Sequence, residues 1–255
     1  MGKLFKNLKT DDLEESTDRV GGGFEALPTD IYELSIKAMY AGQSEGGAQN
    51  VTILGEINSK EYRETVYITN KKGENYFLDK DDKKKKIPLP GFTVIEDICL
   101  LTTGDGLSDQ DTETKALKVY NPKERKEVLT DVEVISRTIG AKVKVAITRT
   151  KQFKQEKGDS GEYKDTDKVI TVNNIDKVMS ADDDRTVVEY RQEIETAEFA
   201  KTWLERFQGK DKDKTTNGPS EGGASGSGRP NPFGNKGASS EGGEPKKSSL
   251  FSKKS

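Results

Sequence analysis

The chain has no histidine and only one cysteine, Cys99, among its 255 residues. Without histidine, the chain can build neither a Ser-His nor a Cys-His catalytic pair, nor the usual zinc sites. A single cysteine cannot form a disulfide within the chain, which is typical of proteins from a reducing cytoplasm. Cys99 lies in the apolar stretch 95–101, so we expect it to be a small buried core residue.

Long apolar runs are also absent. No stretch approaches the roughly 18 residues needed to cross a membrane, and no apolar segment of a signal peptide is visible. We therefore expect a cytoplasmic protein without membrane contact.

The composition divides the chain into three parts. Hydrophobic residues make up 31% and charged residues 34%, which is too polar for the full length to pack as one globule. Residues 209–255 contain ten Gly and nine Ser, which predicts a disordered tail with a net charge of +4. Residues 1–20 are predicted to be a flexible arm. The folded domain is predicted between them, at 21–208. Residues 1–208 together are acidic, with 33 basic and 40 acidic side chains.

Carboxylates are the only remaining candidates for metal ligands, and they cluster at 79–82 and 182–184. Lys83 to Lys86 follow the first cluster directly and would neutralise it in a turn. The second cluster precedes Arg185 and reads as the N-terminal cap of a helix. The phosphate-loop pattern GxxxxGK[ST] is absent, and Gly21–Gly23 precede a strand instead of opening a helix. The sequence thus predicts a protein that is not an enzyme and has no metal or cofactor.

Strand periodicity dominates the folded part. Alternating patterns predict strands at 31–40, 51–57, 62–69, 141–153 and 169–178. Thr93 is predicted to cap a helix that ends before Gly104, and 185–207 reads as a C-terminal amphipathic helix. Residues 107–126 are expected to be a charged insertion, and 128–135 a short strand or a helical turn. Three strands, a helix and two strands are the order of an oligonucleotide-binding (OB) barrel. The predicted fold is mainly β, a five-stranded OB-like barrel with a C-terminal helix and a disordered tail.

A basic stretch at 137–157 stands out against the acidic body, with seven Lys or Arg and one acid. Val143, Val145 and Ile147 alternate with Lys142 and Lys144, which indicates a strand with one apolar and one cationic face. Cations follow phosphates and aromatic faces stack on bases, so this composition favours a single-stranded nucleic acid. The alternative is a solvated strand edge that lysines protect from aggregation.

A second candidate surface lies on the third predicted strand, where Arg63, Thr65, Tyr67 and Thr69 share a face opposite Tyr62 and Glu64. Tyr67 either stacks on bases or packs inside the barrel. Lys83 to Lys86 are either a solvated loop or a phosphate clamp. The predicted nucleic-acid-binding residues are Arg63, Tyr67, Lys71, Lys72, Tyr76, Lys142, Lys144, Arg149, Lys151 and Phe153.

Three stretches of the sequence resemble a known family. Residues 21–92, which run from GGGFEALPTDIYELSIKAMY to KKKKIPLPGF, and the later GAKVKVAITRTKQ and NNIDKVM resemble bacteriophage-encoded single-stranded DNA-binding proteins of the OB-fold family. The resemblance implies sequence-independent binding of single-stranded DNA in replication, recombination and repair. It also implies contacts with a phage polymerase, helicase or recombinase. The tail departs from bacterial-type relatives, because it is net basic and ends SSLFSKKS. Leu250 and Phe251 are the predicted partner-docking residues there.

Two other function classes fit the same sequence. An RNA-binding OB protein would use the same stacking and charge chemistry. An acidic protein that binds and inhibits a host enzyme would use the negatively charged body instead. Neither the oligomeric state nor the number of nucleotides covered follows from the sequence.

Overall fold

The computed structural model describes residues 26–121, 124, 126–158, 163–216 and 218. The predicted arm at 1–20 and the predicted docking residues Leu250 and Phe251 lie outside this part. The three helices are α1 (Pro90–Thr103), α2 (Val187–Arg191) and α3 (Phe199–Phe207). The strands are β1 (Asp30–Gln43), β2 (Gln49–Ile57), β3 (Lys60–Tyr67), β4 (Tyr76–Leu78), β5 (Lys86–Pro88), β6 (Thr112–Asn121), β7 (Lys126–Ile135), β8 (Lys142–Lys157), β9 (Tyr163–Ser180) and β10 (Lys212–Asp213).

The long strand β1 organises the main sheet. Its first half pairs antiparallel with β8, and its second half pairs antiparallel with β2. Strand β3 continues from β2 and β9 continues from β8, while β4 and β5 form a separate two-stranded hairpin. The prediction of a mainly β protein with a helix between the third and fourth barrel strands is confirmed.

The predicted closed barrel is wrong, because the eight-stranded sheet stays open. Within the described residues no strand pairing joins β3 to β9. A side chain bridges them instead: the Glu64 carboxylate of β3 accepts the backbone N–H of Ile175 in β9, with an N–O distance of 3.0 Å. The Ile175 N–H is thus bound by a side chain and not by the backbone of a neighbouring strand.

The main core lies between the inner faces of the strands and α1. Leu34, Ile53, Val145 and Ile147 are fully buried, and Ile98 of α1 packs against them. Cys99 belongs to the same cluster, and burial raises the pKa of its thiol to about 12. The prediction that Cys99 is a buried core residue is confirmed.

Helix α1 begins four residues earlier than predicted, because Leu89 takes the cap position that was predicted for Thr93. Pro90 occupies its first turn, where the missing N–H costs no hydrogen bond. Gly104 ends the helix with φ of 83°, the left-handed conformation that glycine adopts without strain. Thr93 therefore lies inside the helix, and its hydroxyl donates to the Leu89 carbonyl.

The predicted insertion at 107–126 is mostly strand. Strand β6 pairs along its full length with β7, and β7 joins the sheet beside β1 through the pair Tyr40–Val134. Leu117, Val119 and Val132 of this hairpin pack with Ala38, Tyr40 and Val134 in a second apolar cluster. The alternative of a strand at 128–135 is confirmed.

The C-terminal helix predicted at 185–207 is divided into α2 and α3. Glu193 has φ of 57°, which a continuous helix cannot contain. Thr186 caps α2, with Glu189 completing a capping box, so the cap is not the predicted 182–184 cluster. Glu189 also accepts the N–H groups of Glu198 and Phe199, which fixes the start of α3.

Helix α3 covers the outer side of β8 and β9. Trp203 is fully buried against Ala146 and Met179, and its indole N–H donates to Asp176. None of the helices in the described part has the length and apolar character to span a bilayer.

Candidate nucleic-acid interface

The cations of the basic stretch 137–157 mostly have carboxylate partners. Lys142 lies 2.8 Å from Glu33, and Lys144 lies 2.5 Å from Asp184. The remaining pairs are Arg137–Asp105, Arg149–Asp211, Lys151–Asp211 and Lys154–Glu156. Six of the seven cations in this stretch thus have a carboxylate partner, although Arg149 and Lys151 share Asp211, and the side chain of the seventh, Lys157, is outside the described part.

The same stretch does not form one cationic surface. Val143, Val145 and Ile147 face the core, so Lys142 and Lys144 point to the opposite side of β8. Arg149, Lys151 and Phe153 share the parity of the core-facing residues and lie farther along the strand. Lys142 and Lys144 therefore lie on the other side of β8 from Arg149, Lys151 and Phe153, because a strand alternates sides at every residue.

The predicted orientation of β3 is confirmed. Tyr62 is 5% exposed and belongs to the core, whereas Tyr67 is 46% exposed on the other face. Arg63 shares the outer face, but it is already engaged. Its guanidinium donates to the Tyr40 hydroxyl at 3.1 Å and lies 3.6 Å from Glu127 of β7. Arg63 therefore ties the hairpin β6–β7 to the sheet.

The loop after β3 places two more predicted residues. Asn70 organises it: its side chain accepts the N–H groups of Lys72 and Glu74 and donates to the Glu74 carboxylate. This turn leaves Lys71 and Lys72 exposed. Gly91 at the start of α1 lies against the Tyr67 carbonyl, so closely that a Cβ there would come within 2.1 Å of it. The end of β3 and the β5–α1 junction are therefore neighbours.

The hairpin of β4 and β5 is the most basic exposed element in this region. We call residues 76–88 the lysine hairpin; they contain five lysines and three aspartates. Asp79 accepts the N–H groups of Asp81 and Asp82, and these bonds, with Lys85 and Lys83 nearby, hold the pKa of its carboxyl below the usual range. The acidic part thus closes the turn, and Lys83 to Lys86 remain exposed.

Aromatic side chains accompany these lysines. The Lys86 ammonium lies 4.3 Å from the centre of the Tyr76 ring, a cation–π contact. Phe77 and Leu78 are 42% and 45% exposed. We use the name hairpin interface for the set Tyr67, Lys71, Lys72, Tyr76, Phe77 and Lys83 to Lys86.

Charge pairing separates the hairpin interface from the basic stretch. Within the part of the chain that the structure describes, none of its six lysines forms an ion pair. Unpaired ammonium groups beside exposed rings are what a single strand needs: the cations meet phosphates and the rings meet bases. The predicted residues Tyr67, Lys71, Lys72 and Tyr76 belong to this set, and the predicted β8 cations do not.

Phe77 and Lys83 to Lys86 belong to this surface but not to the binding residues predicted from the sequence. Lys83 to Lys86 were left between a solvated loop and a phosphate clamp. The signal was present in the sequence, because the aromatic pair Tyr76–Phe77 stands seven residues before four consecutive lysines with a turn between them. A hairpin brings such segments together.

Metal chemistry has no site in the described residues, where no group of three acidic or cysteine side chains is placed to hold an ion. The 79–82 cluster serves the turn, and Asp183 and Asp184 pair with Arg185 and Lys144.

No protein-family model matches the chain, and comparison with curated proteins found no similar sequence.

Proposed function

We propose that the protein binds single-stranded DNA with little sequence preference and that the hairpin interface is the principal contact surface. The observation that carries the proposal is the concentration of unpaired, exposed lysines beside the exposed rings of Tyr67 and Phe77. The OB-like order of β1, β2, β3, α1, β8 and β9 supports it, although the sheet is not closed.

The chemistry assigns different roles to the two residue classes. Lys71, Lys72 and Lys83 to Lys85 neutralise phosphates and release their counterions, which gives affinity without sequence information. Tyr67 and Phe77 offer ring faces, and every base has a face to stack on them. Lys86 lies over one face of the Tyr76 ring, and this half-buried ring is the third aromatic group of the surface.

The need for stacking favours a single strand over a duplex. Bases in a duplex are already stacked on each other, so exposed rings gain nothing from it. The acidic body adds to this preference, because a second phosphate strand would pass near its carboxylates.

We assign a non-catalytic role in which the protein covers and protects single-stranded DNA during replication, recombination and repair. A polymerase, helicase or recombinase working on that DNA would be its partner. The resemblance to phage single-stranded DNA-binding proteins is the support for this assignment.

A fluorescence titration of labelled oligo-dT, a matched duplex and oligo-U tests the proposal. We expect tight binding of oligo-dT and much weaker binding of the duplex. The logarithm of the affinity should fall linearly with the logarithm of the salt concentration, with a slope of about −0.7 per neutralised phosphate. Tighter binding of oligo-U would favour the RNA alternative. Absence of binding to all three at low salt would overturn the proposal.

A further inference from the structure

The chain that follows α3 lies on the edge of strand β8. We call residues 209–214 the edge segment. The Gly209 N–H donates to the Thr29 carbonyl, and Lys212 and Asp213 pair in parallel with Thr150 and Lys151. The Lys214 N–H donates to the Lys151 carbonyl at 2.9 Å. The folded part of the protein thus extends beyond residue 208, where the disordered tail was predicted to begin.

One carboxylate of the edge segment neutralises two cations of β8. The Arg149 Nε lies 2.7 Å from one oxygen of Asp211, and the Lys151 Nζ lies 3.7 Å from the other. A phosphodiester also presents two unesterified oxygens that share one negative charge, so the same pair of cations suits it.

The surroundings of these cations suit a nucleic-acid strand. Phe153 is two residues beyond Lys151 on β8 and therefore shares its side of the strand. Asn173, which is opposite Arg149, is held by two hydrogen bonds to the backbone of Leu27, so the base of this site is rigid.

We propose that Arg149 and Lys151 form a second phosphate-binding site, and that Asp211 occupies it until single-stranded DNA displaces the edge segment. This inference rests on the proposed function, and it adds a site whose ligand is a phosphodiester of the same strand. The displacement exchanges one anion for another, so the cations remain paired in both states.

The edge segment is held weakly enough to leave. Lys212 and Asp213 are exposed, and the strand that pairs the edge segment with β8 is two residues long. The Asp211 carboxylate is half-buried between Arg149 and Lys151, so a displacing group must itself be an anion that pairs with both cations. The bound strand therefore competes with a short, exposed segment and leaves the core unchanged.

Binding measurements on Asp211→Asn in the full chain test this inference. Glu33→Gln is the matched control, because it changes the net charge equally and frees Lys142 on the opposite side of β8. Two oligo-dT lengths are compared: about 6 nucleotides, to cover one surface, and about 20, to reach both. We expect Asp211→Asn to bind the longer oligonucleotide about threefold to fivefold more tightly, whereas Glu33→Gln binds it like the wild type. Adding Lys151→Gln to Asp211→Asn should abolish the gain.

Hydrogen exchange on the unmodified protein gives an independent measurement. The Lys214 amide should exchange faster when the longer oligo-dT is bound, because its hydrogen bond to Lys151 is lost. Unchanged or slower exchange, or equal affinities of Asp211→Asn and Glu33→Gln, would overturn the second site. These results leave the proposed function standing if the wild type still binds oligo-dT, whereas loss of all oligo-dT binding would overturn both.

Discussion

The Lys177 ammonium of β9 lies 2.6 Å from the Asp97 carboxylate of α1, and both side chains are largely buried. Burial raises the pKa of Asp97, while Lys177 and Arg191 act in the opposite direction. This buried ion pair joins α1 to β9. Removing one partner from such a pair is costly, because the other charge remains buried without compensation.

We therefore expect Lys177→Met to lower the free energy of unfolding by about 3–5 kcal/mol at pH 7. A carboxyl with a raised folded pKa stabilises the fold most below its unfolded pKa of about 3.9, and this contribution is lost as the pH rises through the folded value. Without Lys177 the pKa of Asp97 rises further, because Lys177 lowers it in the wild type. The loss of unfolding free energy in Lys177→Met should therefore shrink as the pH falls from 7 to 4 and Asp97 takes up a proton. Urea denaturation at several pH values measures it. Lys37→Met breaks the exposed pair with Glu56 and should cost at most about 1 kcal/mol. A deficit independent of pH would contradict this account.

A charge comparison separates the hairpin interface from the basic stretch. Lys84→Ala with Lys85→Ala should weaken binding of oligo-dT and reduce the salt slope by about 1.4 units, because two phosphate contacts are lost. Lys142→Ala with Lys144→Ala removes the same charge from residues that already have carboxylate partners. This second variant should keep the wild-type slope. Equal slopes for the two variants would show that binding follows net charge alone.

Stacking should leave a different signature. Tyr67→Ala should weaken binding of oligo-dT by about 1–3 kcal/mol with almost no change in salt slope, because a ring is lost and no cation is removed. The same loss is expected for Phe77→Ala. The control is Tyr62→Ala, which should lower the unfolding temperature because this ring is in the core. If Tyr67→Ala unfolds the protein as readily, the outer face of β3 has a packing role instead.

Substitution of Gly55 tests how closely β1 and β2 approach each other. A Cβ at this position would come within 2.5 Å of the Ser35 carbonyl oxygen and 2.7 Å of the Leu34 side chain. We expect Gly55→Ala to destabilise the protein by about 1–3 kcal/mol, because backbone must move to admit the methyl group. Gly46→Ala is the control: its nearest neighbour is the flexible Lys71 side chain at 3.4 Å. Thermal unfolding of both variants compares them, and similar melting temperatures would contradict the close approach.

Truncation distinguishes the two parts of the C-terminal region. Removing residues 219–255 should leave the melting temperature unchanged, since this stretch has almost no apolar residues for a core. Removing residues 209–255 also deletes Asp211 and β10, which should lower the melting temperature slightly through loss of the edge pairing. A large loss of stability from the shorter truncation would contradict the compositional argument.

Local sequence patterns predicted the elements that local chemistry determines. The strands β1, β2, β3, β8 and β9 follow from alternation, and the end of α1 follows from Gly104. The division of the last helix escaped prediction, because one apolar stripe runs through both α2 and α3 and the interruption rests on the backbone of Glu193. Strand β6 escaped prediction because its charged residues hid the apolar face that carries Leu117 and Val119.

The site was predicted less completely, for a physical reason. A run of cations in the sequence does not reveal which of them will meet acids in the fold. Lys142 finds Glu33 across 109 residues of chain, and Arg149 finds Asp211 across 62. Lys83 to Lys86 have no such partner in the described residues, because the nearby aspartates are used in closing their own turn.

The Glu64–Ile175 contact marks the place where we expect the fold to open first. Paired strands share their resistance to opening among many hydrogen bonds, whereas no strand pairing joins β3 to β9 in the described residues. Strand β1, in contrast, is paired on both sides. We therefore expect β3 and β9 to separate more readily than the strands beside β1, and the Ile175 amide to exchange sooner than the amides of β1.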